Sequence, residues 1–232
     1  MSMDQVVLPR RFRGPPDSAN GGYAAGTLGR LVDGAAEVTL RRPPPLDRPL
    51  TVDEEPGRIV LRDGSDVIAE AIPTTIDIAV VRPVDFDTAI AASESSDYRD
   101  PTTHPFPTCF VCGPLRELGD GLRLFSGRVP GTREFAAPWV PDDDDELMVW
   151  AALDCPSSAV IGLDDDRARP HVLGRLATRI DRLPEPGTPH VVMSWLLGLE
   201  GRKVFSASAL YDRDGHLCAI AGATWIRLAA AP

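Results

Sequence analysis

One acidic residue interrupts a run of apolar and small side chains, Trp150-Ala151-Ala152-Leu153-Asp154-Cys155-Pro156-Ser157-Ser158. A carboxylate in such surroundings needs partners or a raised pKa. Placed beside a carbonyl, it can take a proton from water or attack directly. Trp150 stands one helical turn before Asp154, so the two share a face; the indole either walls an acyl-sized pocket or simply packs. Ser157 and Ser158 could orient a water, or merely accompany the break that Pro156 should cause by removing a backbone donor. Far upstream, Asp17, Ser18 and Asn20 carry short oxygens suited to capping a helix, and Gly21, Gly22 and Tyr23 follow them. Exposed amides at such a helix start favour an anion or a polarised carbonyl. The same glycines could instead serve tight helix–sheet packing.

Two further clusters have a chemical reading. Cys109 and Cys112 form a C-x-x-C pair, which is half of a zinc site; His104 could supply a third ligand and a distant Cys155 or His171 a fourth. A redox pair and a packed turn are the alternatives. The turn is the expectation, with four free thiols, no metal and no cofactor. The acidic run Asp142 to Glu146 lacks the spaced ligands of a calcium loop and suits a helix N-terminus.

The elements that must position these residues follow from periodicity. The first half predicts a strand over 5–12 and a helix over 21–32. Strands follow over 36–42, 49–54, 58–62 and 66–72, with Asp63-Gly64 as a hairpin turn. A further strand over 76–81 and a short helix over 83–93, opened by Asp85 and Asp87, complete it. The first helix contains Gly21, Gly22, Gly26 and Gly29, each costing about 1 kcal/mol relative to Ala, so close packing against a sheet must compensate. Residues 94–121 are rich in Ser, Asp, Pro and Gly and read as a linker. The second half predicts strands over 121–129 and 133–141, a helix over 146–161, and strands over 171–183, 190–200, 203–212 and 216–228. Both halves thus run short strand, helix, several strands. Arg62-Asp63-Gly64 returns as Arg213-Asp214-Gly215, which supports duplication. The expected modules are 1–93 and 121–232, joined by 94–120.

Composition narrows the function classes. With 232 residues and 43% hydrophobic side chains, a substantial core can form. The formal net charge of -10 disfavours nucleic acid as a partner. An anionic ligand would need a local basic patch, for which Arg10, Arg11 and Arg13, or Arg41 and Arg42, are candidates. No apolar run approaches the ~20 residues of a membrane span, and residues 1–13 lack the apolar core of a signal peptide. A cytoplasmic protein with reduced thiols is expected.

The element order resembles that of the hotdog fold, a long helix wrapped by an antiparallel sheet. Asn20-Gly21-Gly22 resembles the His-Gly-Gly motif that opens the central helix in the phenylacetyl-CoA thioesterase-like branch, and Trp150 to Ser158 resembles that fold's acid-bearing helix. The chain as a whole resembles actinobacterial thioesterase-like double-hotdog proteins, which also carry a Cys-Phe-Val-Cys-Gly segment, here Cys109 to Gly113. The resemblance implies an α+β tandem (double) hotdog, with two central helices wrapped by one continuous antiparallel sheet. It implies an acyl-CoA or acyl-carrier thioesterase, with a homodimer of tandem modules as an expected assembly. Amides at Asn20, Gly21 and Gly22 would polarise the thioester carbonyl, Asp154 would act as nucleophile or base, and Trp150, Ser157, Ser158 and Tyr23 would contact substrate.

This chain departs from the family pattern. Asn20 replaces the His, Gly29 stands where the first module's acid would be, and Glu146 stands where the second module's Gly would be. In the family the two parts of a site come from opposite modules. The chain is therefore expected to build one composite site, Gly21/Gly22 with Asp154, and one defunct site. A non-catalytic thioester-binding or assembly module with an eroded site is the alternative. A hydratase or dehydratase on the same fold would want a His base, and neither candidate helix contains one.

Overall fold

Asn20 and Asp145 start the two helices around which the chain is organised. In the computed structural model, which describes residues 4–161, 163 and 170–228, Asn20 Oδ1 accepts from the Tyr23 amide at 2.9 Å and opens α1 (Gly21–Gly29). Asp145 Oδ1 accepts from the Leu147 amide at 2.9 Å and opens α3 (Glu146–Ser158). Counted from these caps, Gly29 holds the place in α1 that Asp154 holds in α3. The module limits at 1 and 232 lie outside the described residues.

Among the described residues, eleven strands form one antiparallel sheet. In chain order they are β1 (Asp4–Val7), β2 (Ala36–Leu40), β3 (Pro49–Glu55), β4 (Arg58–Asp63), β5 (Asp66–Pro73), β6 (Gly127–Arg128), β7 (Phe135–Trp139), β8 (His171–Ile180), β9 (His190–Glu200), β10 (Lys203–Asp212) and β11 (Leu217–Arg227). Their spatial order is β1-β3-β4-β5-β2-β8-β11-β10-β9-β7-β6. Read outward from the β2–β8 seam, where Val38 faces Leu176, the halves mirror one another. β2, β5, β4, β3 and β1 answer to β8, β11, β10, β9 and β7. The repeated Arg-Asp-Gly therefore occupies equivalent hairpins, β4–β5 and β10–β11, whose Gly64 and Gly215 take φ of 58° and 80°, a region that favours glycine.

The two faces of the sheet carry different cores. Leu210, Ala219 and Ala221 point to the helix side, where α1 and α3 lie with Leu28, Val149 and Leu153. Ala207, Ala209 and Ile220 point to the other face, covered by α2 (Phe86–Glu94) and by the chain before it. Side chains alternate along a strand, so β10 and β11 each feed both cores.

What compensates the glycines of α1 is mainly the other helix. A Cβ at Gly26 would lie 2.7 Å from Trp150 Cβ, and one at Gly29 would lie 2.2 Å from the Trp150 ring. Only Gly21 abuts the sheet side, where Leu173 Cδ2 would stand 2.8 Å from an added Cβ. The stripe Gly22, Gly26, Gly29 brings α1 and α3 into near backbone contact.

Several predicted elements differ. The first strand stops at Val7, because Pro9 removes a donor and Arg10–Phe12 turns as a 3-10 helix. Residues 76–81 form no strand. They cross the outer face, with Ile76, Ile78 and Val81 packed on that core and the Tyr211 hydroxyl donating to the Val81 carbonyl at 2.6 Å. Of 121–129 only β6 is strand, because the Leu122 and Leu124 amides bond back to Phe110 and Val111 at 2.9 and 2.8 Å. Residues 94–120 reach into the helix-side core through buried Cys109, Phe110, Val111 and Cys112. Pro156 sits inside α3 without breaking it. It falls in the last turn, where serine hydroxyls from the sheet cap neighbouring carbonyls: Ser208 donates to that of Leu153 at 2.6 Å and Ser194 to that of Pro156 at 2.8 Å.

The helix contact makes a direct test. Gly→Ala inside a helix ordinarily stabilises by up to ~1 kcal/mol, but Gly29→Ala drives a methyl into the indole of a packed core and is expected to cost about 1–3 kcal/mol in urea unfolding. Gly198→Ala, with no atom within 4 Å of the added methyl, is expected to change stability little.

Candidate active site

Asp154 is 1% exposed and lies against the first turn of α1. Its Oδ2 accepts from the Gly22 backbone N–H at 2.8 Å and from Asn20 Nδ2 at 2.8 Å. Its Oδ1 is buried with no hydrogen-bond partner among the described residues. Gly22 is what lets the acid come this close, since a Cβ there would stand 2.5 Å from Asp154 Cβ and 2.6 Å from the Trp150 carbonyl oxygen. Burial pushes the Asp154 pKa up to about 7, opposed by the Gly22 and Asn20 hydrogen bonds. A carboxyl in this range holds a proton about half the time at neutral pH and can pass one in either direction.

Asn20 works with both ends of its amide. The carbonyl oxygen is committed to the Tyr23 amide as the helix cap, which turns the NH2 group toward Asp154. A residue that only capped would leave the carboxylate with one donor. The Gly22 amide and Asn20, expected to meet a thioester carbonyl, instead hold the carboxylate.

Asp154, Asn20 and Gly21 open onto a cavity of about 840 Å³, within the range of small-molecule sites. Leu40, Ile161, Val172, Leu173 and Ile226 give it an apolar wall. Arg41 and Arg42 also line it, each already paired, with Glu70 at 2.7 Å and Asp66 at 3.0 Å. Of the other expected contact residues, Ser158 is on the wall, where it meets the Tyr98 hydroxyl at 2.6 Å. Ser157 is turned inward, donating to the Asp154 carbonyl at 2.6 Å and accepting from Trp225 Nε1 at 2.9 Å. Tyr23 stacks on Phe12 with ring centres 3.9 Å apart. Neither Tyr23 nor Trp150 lines the cavity. The Trp150 ring instead covers Gly29, the place where a symmetric second acid would stand.

Sequence spacing did not reveal the neighbourhood of Asp154. Cys109, Cys112 and Cys155 bring their sulfurs within 4.8 Å of one another, and all three line the same cavity. All four cysteines are free. Hydrogen bonds from the Cys112 and Cys155 thiols hold Cys109 well below the usual thiol range, while the same bonds to Cys109 push Cys112 and Cys155 up. His104 lines the cavity as well, and burial lowers its pKa. The sequence offers Cys155 or His171 as a distant partner of the C-x-x-C pair, and the fold brings Cys155 to it.

No protein-family model matches the chain, and no curated protein matches it by sequence. Solved structures do. A conserved protein of unknown function with a hot dog fold from Alicyclobacillus acidocaldarius aligns over 98% of this chain and 93% of its own, at 12% identity and a TM-score of 0.63. The tesB protein of Mycobacterium avium subspecies paratuberculosis aligns over 91% and 88%, at 13% identity and a TM-score of 0.56. The acyl-CoA thioesterase II TesB2 of Mycobacterium marinum aligns over 91% and 90%, at 15% identity and a TM-score of 0.57. The chain has the double-hotdog fold. In this double hotdog the Asp154 carboxyl of α3 meets the first turn of α1. Among the described residues no helix is long and apolar enough to cross a membrane.

The two jobs of Asn20 can be separated by substitution. Asn20→Ala loses the cap, about 1 kcal/mol, and one donor to a buried carboxyl, a further ~1–2 kcal/mol. Asn20→Ser keeps a capping oxygen and loses only the donor. Urea melts are expected to rank wild type above Asn20→Ser above Asn20→Ala. Equal stability of the two variants would mean that the cap contributes nothing.

Proposed function

We propose that the chain hydrolyses an acyl thioester, carried on coenzyme A or on an acyl-carrier protein, at one composite site between its modules. The observation that carries this reading is the buried Asp154 carboxyl of the second module, held by Gly22 and Asn20 of the first on the wall of an apolar cavity. Asp154 Oδ1, unpartnered among the described residues, takes a proton from a water that attacks the thioester carbon. The C–S bond then breaks, and the same carboxyl returns the proton to the departing thiolate. Gly22 and Asn20 orient the carboxyl, and the dipole of α1 favours negative charge developing on the carbonyl oxygen. The equivalent position across the pseudo-two-fold has Gly29 in place of an acid and Trp150 over it, so one site per chain follows.

A second reading has a specific observation behind it. Both the Gly22 amide and the Asn20 amide are engaged by Asp154, which leaves neither free for a substrate oxygen and suits a module that binds a thioester without cleaving it. Turnover separates the two. In a thiol-release assay over a series of acyl-CoA chain lengths, Asp154→Asn is expected to lower kcat by ~10²–10⁴-fold while acyl-CoA still raises the melting temperature. Calorimetry is expected to count one acyl-CoA per chain. Binding with no turnover by the wild type establishes the binding module, and two equivalent sites per chain would falsify the composite site.

A further inference from the structure

The thiols beside the site form a constellation that the thioester reading does not use. Cys109 and Cys112 lie on a turn closed by the Gly113 amide, which donates to the Cys109 carbonyl at 2.9 Å. The turn is tight enough to require glycine at its end, since a Cβ at Gly113 would stand 2.4 Å from the Cys109 carbonyl oxygen and 2.6 Å from its nitrogen. Such a turn presents two sulfurs on one side. α3 delivers the third: Cys155 Sγ lies 3.6 Å from Cys109 Sγ, and the three sulfurs fall within 4.8 Å of one another. Tetrahedral zinc with Zn–S bonds of ~2.3 Å needs sulfurs ~3.8 Å apart, so modest side-chain adjustment meets it.

We propose that Cys109, Cys112 and Cys155 hold a thiophilic divalent cation, zinc being the fitting ion, with the fourth coordination position filled from the cavity. Simple packing would be served as well by apolar side chains, and a disulfide would use two of the three sulfurs and strand the third. Three buried thiolates around a dication leave one net negative charge, and Asn20 Nδ2, 3.5 Å from Cys155 Sγ and 3.9 Å from Cys109 Sγ, offers an N–H toward it. The neighbouring side chains argue against a fourth protein ligand. Asp154 is committed to Gly22 and Asn20 through Oδ2. His104 Nδ1 accepts from the Phe106 amide at 2.9 Å, so the ring proton resides on Nε2, and a protonated nitrogen does not ligate. Each of the three cysteines lines the cavity, which supplies the water or ligand thiol that completes the coordination. This inference is independent of the thioester reading: a protein that only binds, or binds something else, would carry the same ion.

Metal analysis and cobalt spectroscopy on the full chain test it. Protein refilled with zinc chloride and desalted is expected to hold about one zinc per chain. Cys112→Ser and Cys155→Ser are expected to lose most of it, and Cys218→Ser, which changes a thiol outside the cluster, to keep it. Cobalt(II) chloride added to the metal-free wild type is expected to give the visible bands of a tetrahedral site and a thiolate charge-transfer band of three-sulfur intensity. This readout needs no variant to fold. A small thiol added afterwards is expected to shift the visible bands. Wild type that takes up neither zinc nor cobalt while showing free thiols, or that joins Cys109 to Cys155 in a disulfide, overturns the site. Two-sulfur intensity overturns the three-cysteine site, and bands unmoved by the added thiol overturn the open fourth position.

Discussion

The near contact of α1 with α3 is the constraint on which the rest depends. Gly22, Gly26 and Gly29 strip one face of α1 to backbone, and α3 lies against that face with Trp150 and Asp154. A single methyl on any of the three would collide with the neighbouring helix. The helix thereby gives up conformational propensity, on the order of 1 kcal/mol per glycine, and recovers it in packing that only the partner helix can supply. The sheet then has to be continuous, because two helices held this close leave no room for separate cores. The β2–β8 seam joins the halves beneath them.

The same constraint makes the molecule asymmetric. A pseudo-two-fold pair could in principle build the Asp154 arrangement twice. One side receives the small residue Gly22 opposite an acid, and the other receives Gly29 opposite an indole. Filling one site with Trp150 gives the interface a large buried side chain at its centre, and the remaining site keeps the cavity. The two positions equivalent by helix position thus differ, one filled by an indole and one left beside a cavity.

Burial without full satisfaction sets the electrostatics of the retained site. Asp154 has two donors on one oxygen and none on the other among the described residues, and desolvation outweighs those donors. A third or fourth donor would make the carboxylate an inert structural anion. The basic residues that could have neutralised it are elsewhere: Arg41 and Arg42, on the same cavity, are engaged with Glu70 and Asp66. The basic clusters in the sequence are thus largely ion-paired at the surface, Arg10 with Asp47 and Arg11 with Asp120 among them.

The amino-acid sequence by itself determined most of the elements and the two helix starts. These are local matters: strand alternation, the capping oxygens of Asn20 and Asp145, and the repeated Arg-Asp-Gly hairpin are written over a few residues each. It also singled out Asp154, because an acid within an apolar helix is anomalous wherever the helix lies. Tertiary structure decided the rest. Residues 76–81 have strand composition, but Ile76, Ile78 and Val81 pack across the outer face of the sheet and cover its apolar core instead. Trp150 and Tyr23 are amphipathic aromatics whose spacing suits a pocket wall or a core equally, and the glycine stripe and Phe12 drew them into the core. Cys155 stands beside Cys109 only because residues 106–124 fold back onto the start of α3's last turns, a contact between segments far apart in the chain. Proximity of that kind has no periodicity to betray it.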